Sequence, residues 1–289
     1  MIHVLSLAAL GLAVCYGAWL SALWYFQERV VFQPPAGGAP TDVDARQVHY
    51  RTVDGIQLFA YVVGNCTPTS RVVIAFHGNA DLARWLVPWA TTAAIEANAC
   101  VVLPEYRGYD GLAGRPTYAG SAYDARAALD YIRTELGVSP DNAVYFGHSL
   151  GSAIAAELAA HEPPRVLMLE SPLSSARGMA ERMLLPGLTT FWSVISRVHF
   201  DTIERVRALS SQVWVAHGDR DAVVPVQMGR EVFAAARNKG ELLIVPGASH
   251  SDVATVGGRA YWNWFRRALF SGSTSPTDRD VPAEMPPAP

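Results

Sequence analysis

The amino-acid sequence predicts an α/β protein with a mostly parallel, eight-stranded sheet and helices on both faces. Short β-branched runs alternate with helical stretches along the chain, and such alternation is typical of parallel sheets. The run Val72–Phe76 is apolar at every position, as expected for a strand that is covered on both faces. At 289 residues and 50% hydrophobic composition, the chain is long enough for one large domain with a buried core.

The first segment, residues 1–28, is expected to be a transmembrane anchor. No charged side chain occurs from Val4 to Phe26, and about 20 apolar residues are enough to cross a bilayer. Trp24 belongs to an aromatic cluster near the end of this run, and Glu28 and Arg29 then end it. A cleaved signal peptide and a buried soluble helix are the alternatives. The flanking charges leave the orientation open.

A Pro/Gly/Ala-rich linker is expected over residues 29–43, the main domain over residues 44–270 and a disordered tail over residues 271–289. The first two strands flank Asp54-Gly55, a strong hairpin signal. The eight expected strands are Gln47–Val53, Ile56–Val63, Val72–Phe76, Cys100–Pro104, Ala143–Gly147, Val166–Glu170, Gln212–His217 and Leu242–Val245. The expected helices are Leu82–Ala97, Ser121–Leu136, Ser149–His161, Val226–Ala236 and Asp252–Leu269.

One motif places a serine between a strand and a helix. Gly147-His148-Ser149-Leu150-Gly151 fits the pattern G-x-S-x-G and follows an expected strand directly. A sharp turn at this point needs small neighbours, and it presents the serine at the carboxyl edge of the sheet. Ser149 is therefore the candidate nucleophile.

A serine hydroxyl is a weak nucleophile and needs a base, which is oriented in turn by an acid. Two later loops, each following a strand, supply both groups in the order that this motif requires. His250 is the candidate base and Asp221 the candidate acid. Asp219 competes with Asp221 for that role, although it is the more typical turn residue.

Two backbone N–H groups are expected to form an oxyanion hole, which stabilises charge on the reacting carbonyl. One belongs to Leu150, directly after the candidate nucleophile. The other is assigned to Asn79, in the loop after the strand that ends at Phe76. His77 and His148 are interpreted as support for these loops.

The composition argues against several other functions. The formal net charge is −3 and no long basic run occurs, so a nucleic-acid partner is not expected. The remaining histidines form no paired pattern and no CxxC is present, so neither a metal nor a cofactor is predicted.

The chain resembles the Bem46-like, membrane-anchored serine hydrolases of the α/β-hydrolase superfamily. The segments that carry this resemblance are FQERVVFQPP (26–35), FHGNA (76–80), PEYRGYDGLAGRPTYAG (104–120), GHSLG (147–151), ESPLSS (170–175), HGDRDAVVP (217–225) and GASH (247–250). The resemblance implies an α/β-hydrolase fold. It also implies cleavage of an ester, thioester or amide through an acyl-enzyme, with Asp221 as the acid. The substrate, a small molecule or a lipid, and the oligomeric state stay open.

An insertion over residues 171–202 is expected to form a small cap, with apolar residues such as Met179 and Met183. An apolar cap favours lipid or acyl-chain substrates. The rival functions are a peptidase or a perhydrolase on the same scaffold, and a membrane-tethered, non-catalytic protein that retains the fold.

The implied fold places the second strand beside the fourth and antiparallel to it. Cys66 follows the second strand and Cys100 begins the fourth, so both are expected at one edge of the sheet. A disulfide between them would favour an oxidising, extracytoplasmic compartment such as a periplasm. Two reduced, half-buried cysteines are the alternative.

Overall fold

One eight-stranded sheet organises the chain. The structure is a computed structural model that describes residues 2–36, 43–139, 142–183 and 196–271. The strands follow the spatial order β1-β2-β4-β3-β5-β6-β7-β8; β2 is antiparallel to β1 and β4, and the other pairs are parallel. Their bounds are β1 Arg46–Arg51, β2 Gln57–Val63, β3 Val72–Phe76, β4 Cys100–Pro104, β5 Ala143–His148, β6 Val166–Glu170, β7 Gln212–Gly218 and β8 Lys239–Val245. The prediction of a mostly parallel, eight-stranded sheet is confirmed.

Helices cover both faces of this sheet. Their bounds are α1 Ile2–Val31, α2 Val87–Ala97, α3 Tyr118–Thr134, α4 Leu150–His161, α5 Ala176–Met183, α6 Thr202–Ala208, α7 Val226–Ala235 and α8 Val253–Phe270. Buried side chains of α3, α4, α6 and α7 pack in one core cluster, and those of α2 and α8 pack in another on the opposite face. Strands β3 and β4 are buried at every position, which explains why their sequences do not alternate.

The N-terminal segment differs from its prediction. In the part of the chain that the structure describes, no helix combines the length and the apolar character needed to cross a membrane. This finding does not support the transmembrane anchor predicted over residues 1–28. Helix α1 also continues to Val31, through residues 29–31 that were assigned to the linker. Gln27 is 1% exposed, because the end of the helix packs on the domain instead of leading into a free linker.

The cap and the tail are described only in part. The predicted cap over residues 171–202 contains helix α5 and the segment 196–201, whereas residues 184–195 lie outside the described part of the chain. Of the predicted tail over residues 271–289, only residue 271 is described.

The two cysteines of the implied pair are joined by a disulfide. The Cα atoms of Cys66 and Cys100 lie 5.0 Å apart. They meet because β2 and β4 are antiparallel neighbours, with Val63 opposite Val101. Cys100 begins β4, so the disulfide lies at the edge of the sheet where the parallel strands start. The motif residues follow the strands at the other edge.

Candidate active site

Ser149 lies in a strained turn between β5 and α4. Its backbone has φ +53° and ψ −117°, a conformation that costs a residue other than glycine about 1–3 kcal/mol. The neighbouring glycines make room for this turn. A Cβ on Gly147 would collide with the carbonyl of Gly151, and a Cβ on Gly151 would collide with that of Phe76. The strand–turn–helix setting that the motif predicts is therefore present, with Ser149 at its apex.

Asp221 and His250 form a hydrogen-bonded pair at the same edge of the sheet. The His250 Nδ1 atom lies 2.7 Å from Asp221 Oδ2, and the aspartate side chain is fully buried. Asp221 Oδ1 accepts from the backbone N–H groups of Val223 and Val224 at 2.9 and 2.8 Å. Asp219 instead accepts from the backbone of the loop after β8, at 2.7 Å. The structure thus brings Asp221, and not Asp219, against the candidate base.

A second imidazole contacts the same carboxylate. His217 Nε2 lies 2.9 Å from the Val224 carbonyl and 3.1 Å from Asp221 Oδ2. A carbonyl only accepts, so Nε2 carries the proton. Burial acts to raise the pKa of Asp221, but the hydrogen bonds from His217 and His250 outweigh it and lower this pKa below its ordinary value. Asp221 is therefore a stable anion that can orient His250 and stabilise it when protonated.

The backbone of His250 is held by residues next to the nucleophile. Its carbonyl accepts from His148 Nε2 at 3.0 Å and from Ser171 Oγ at 3.3 Å. Residue 148 directly precedes Ser149, so one turn carries the candidate nucleophile and fixes the loop of the candidate base. No hydrogen bond joins the Ser149 hydroxyl to the His250 ring within the described residues. Such contacts are often longer without substrate.

The two predicted oxyanion donors are available. In the described part of the chain, neither the Asn79 N–H nor the Leu150 N–H has an acceptor. The Asn79 side chain is held in place, because its Oδ1 accepts from the Gln33 N–H at 2.8 Å and from the Tyr109 hydroxyl at 3.1 Å. Residue 33 directly follows the buried Phe32 at the end of α1, so this helix end fixes the oxyanion loop.

A buried ion pair supports the same loop. His77 Nδ1 lies 2.8 Å from the Gly78 carbonyl and Nε2 lies 2.8 Å from Glu105 Oε1. When Glu105 is ionised, both partners are acceptors, so both ring nitrogens donate and the imidazole carries a positive charge. Burial acts to lower the pKa of His77, but the negative charge of Glu105 outweighs it and raises the pKa above 6.5. The carboxylate also accepts from the N–H groups of Tyr106 and Ala83.

A cavity of about 660 Å³ adjoins the nucleophile and the oxyanion loop. Ser149 and Asn79 contribute to its lining, and most of the other lining side chains are apolar. One side is formed by the end of α1 and another by the region of α5. The apolar lining residues from these regions are Leu23, Val30, Val31, Leu173, Ala176, Met179, Ala180, Val198 and Phe200.

The sequence predicts a triad of Ser149, Asp221 and His250, which stays a prediction, and it assigns no role to His217 or Glu105. His217 lies at the end of β7 and Asp221 follows four residues later, and this spacing was a signal for their contact. Glu105 directly follows the buried strand β4, and a position directly after a strand was a similar signal. The contact of Gln33 with Asn79 had no local signal, because the two residues are 46 positions apart.

No group of three or more His, Cys, Asp or Glu side chains among the described residues could hold a metal ion. The arrangement of Ser149, His250 and Asp221 has the parts needed for acyl transfer by protein groups alone. The absence of a metal and of a cofactor stays a prediction.

Comparisons with known proteins agree with the observed fold. A family model described as the α/β hydrolase fold matches residues 71–171. An uncharacterized protein of Mycobacterium tuberculosis is 33% identical over 261 residues, which cover 86% of this chain and 89% of that protein. Human α/β hydrolase domain-containing protein 17B is 29% identical over 208 residues, covering 72% of this chain and 69% of that protein. An esterase structure from Pyrococcus furiosus has a TM-score of 0.62 at 19% identity, over 82% of this chain and 97% of that one. The narrower Bem46-like assignment stays a prediction, and the chain belongs to the α/β-hydrolase family.

Proposed function

We propose that this protein is a serine hydrolase that cleaves an ester, thioester or amide bond through an acyl-enzyme. Ser149 attacks the carbonyl carbon while His250 takes its proton. Asp221 orients the imidazole and stabilises its charged form. The backbone N–H groups of Asn79 and Leu150 stabilise the oxyanion. His250 then protonates the leaving group. In the second half of the reaction, His250 takes a proton from the water that attacks the acyl-enzyme and gives it to the Ser149 oxygen as the acyl group is released.

The observation that carries this proposal is the strained backbone of Ser149 at the sheet edge where Asp221 and His250 are paired at 2.7 Å. Strain at a residue other than glycine persists only where the surrounding structure imposes it, and such residues cluster at functional sites. A non-catalytic protein of this fold would need neither the strained serine nor the buried charged pair.

The apolar cavity beside Ser149 favours a substrate with an acyl chain or another lipid-like group. Apolar side chains from α1 and from the region of α5 dominate its lining, and apolar surface removed from water stabilises binding by about 25 cal/mol per Å². An ester of a medium-length fatty acid is the substrate class that this cavity fits best.

The test is labelling by a fluorophosphonate probe, which reacts with activated serines. Wild type is expected to label, and Ser149→Ala is expected to lose labelling and at least about 10⁴-fold in ester hydrolysis. The matched control is Ser210→Ala, which removes an exposed serine hydroxyl before β7 and should label like wild type. A folded wild type that does not label would contradict the proposal and favour a non-catalytic scaffold.

A substrate panel then separates the proposed esterase from the same-scaffold rivals. Ester, thioester and amide substrates with a common acyl group are compared, together with peptides and with perhydrolysis by hydrogen peroxide. Faster cleavage of peptides than of esters would indicate a peptidase. We also propose an extracytoplasmic location, which the disulfide between Cys66 and Cys100 supports.

A further inference from the structure

The last turns of α1 are held on the domain by specific contacts. The buried Gln27 Oε1 accepts from the Arg197 N–H at 2.6 Å and from Ser196 Oγ at 3.2 Å. Glu28 Oε1 accepts from the N–H of Tyr118, the first residue of α3, at 3.3 Å. These partners lie far along the chain, in two separate elements. The helix end is therefore a built part of the domain.

The helix end has a defined direction relative to the nucleophile. Phe32 is 2% exposed and packs edge-on against Phe200, with 6.2 Å between ring centroids. The next residue, Gln33, donates to the oxyanion-loop residue Asn79. The Gln33 end of the helix is therefore near the reacting carbonyl, and earlier residues of α1 are farther from it.

The cavity follows α1 away from this point. Leu23, Gln27, Val30 and Val31 line it, and their spacing of four, three and one residues places them on one face of a helix. From Leu23 to Val31 the helix rises about 12 Å, which is enough for an acyl chain of octanoyl length. Gln27 is the one polar member. Its Oε1 atom accepts the hydrogen bonds given above, and its Nε2 group donates to the Trp24 carbonyl at 2.7 Å.

We propose that this face of α1 is the inner wall of the acyl site and that Leu23, at its distal end, limits the length of the acyl chain. The inference rests on the proposed serine-hydrolase function and adds the substrate class and the residue that selects it. Part of the recognition site then comes from the N-terminal helix, outside the sheet domain and the cap.

The experiment measures kcat/KM for p-nitrophenyl acetate, butyrate, octanoate and laurate on the full-length chain. Leu23→Trp fills the distal end of the cavity. It is expected to lower the octanoate-to-acetate ratio at least about tenfold, the size of effect that a few methylene groups produce in an apolar pocket. Leu23→Ala opens the same end and is expected to raise the laurate-to-octanoate ratio. The matched control is Val14→Trp, at an exposed position of the same helix outside the cavity lining.

Fluorophosphonate labelling of every variant reports whether the triad is intact. An unchanged chain-length profile in both Leu23 variants, with labelling and acetate hydrolysis like wild type, overturns this inference and leaves the proposed function standing. A change of the same size in Val14→Trp also overturns it, because the effect would then not come from the cavity wall. A wild type that neither labels nor cleaves any ester overturns the proposed function, and the inference with it.

Discussion

The disulfide provides a stability prediction whose magnitude follows from the structure. Cys66 and Cys100 are separated by 34 positions, and closing a loop of that length in the unfolded chain stabilises the folded state by about 4 kcal/mol at 25 °C. Cys66→Ser is the preferred change, because Cys66 is half-buried whereas Cys100 is fully buried and its replacement would also bury a hydroxyl group. For a domain of this size, 4 kcal/mol corresponds to a fall in Tm of about 10 °C.

The assay is urea unfolding followed by tryptophan fluorescence, in a Cys15→Ser background that removes the free, exposed cysteine. Cys66→Ser is expected to unfold at lower urea than its parent. Dithiothreitol should lower the midpoint of the parent to that of Cys66→Ser, and it should leave the midpoint of Cys66→Ser unchanged. Fluorophosphonate labelling should persist in both proteins under conditions where they are folded, because the disulfide lies at the sheet edge opposite the site.

Equal urea midpoints for the parent and Cys66→Ser would refute the reasoning. A measured protein mass that shows Cys66 and Cys100 as free thiols would also refute it, if the protein was purified from an oxidising compartment without reductant. Either result would also remove the support for an extracytoplasmic location.

Two further predictions concern the buried charges of the site. Asp221→Asn is expected to lower kcat about 10⁴-fold, because an amide does not stabilise the imidazolium of His250. Asp219→Asn is expected to retain most of the activity. The reverse ranking of the two variants would show that Asp219, and not Asp221, is the acid that orients His250. His77 binds its proton more tightly in the folded than in the unfolded protein, so its contribution to stability is complete below pH 6.5 and is lost as the pH rises above that value. The urea midpoint of wild type should therefore fall as the pH rises above 6.5, and that of His77→Gln should fall less. Urea midpoints that fall equally with pH in the two proteins would show that the buried pair of His77 and Glu105 is not charged.

The interior of the sheet could be predicted closely from the sequence. The predicted bounds of Val72–Phe76, Cys100–Pro104 and Val166–Glu170 are those observed, because a strand covered on both faces is a continuous apolar run. Strand β8 begins at Lys239, three residues earlier than predicted. It lies at the edge of the sheet, where one side is exposed and polar residues are tolerated.

The end of α1 could not be predicted from local pattern. Glu28 and Arg29 end the apolar run, and the sequence pattern therefore predicts that the helix stops there. In the structure Glu28 is paired with the N–H of Tyr118, and the adjacent Gln27 is paired with Arg197, 170 positions away. Charged and polar residues end a hydrophobic pattern, but they do not end a helix when tertiary partners satisfy them. Such partners are visible only once the chain is folded.

The candidate catalytic residues could be predicted because their signals are local, and their chemical roles stay a prediction. Each of Ser149, Asp221 and His250 follows a strand, and the parallel sheet brings those strand ends together. The groups that hold them in place come from elsewhere in the chain. Asn79, for example, is fixed by the backbone of Gln33 across 46 positions.

A chain shortened to begin at residue 44, the predicted start of the main domain, would retain the whole sheet and the predicted triad. It would lose Gln33, which holds Asn79, and Phe32, whose buried ring packs against Phe200. It would also lose the α1 face that lines the cavity beside Ser149. Such a chain would keep the candidate nucleophile but expose the predicted oxyanion loop and the proposed acyl site to water. The proposed activity would therefore need the sheet domain together with the last turns of the N-terminal helix.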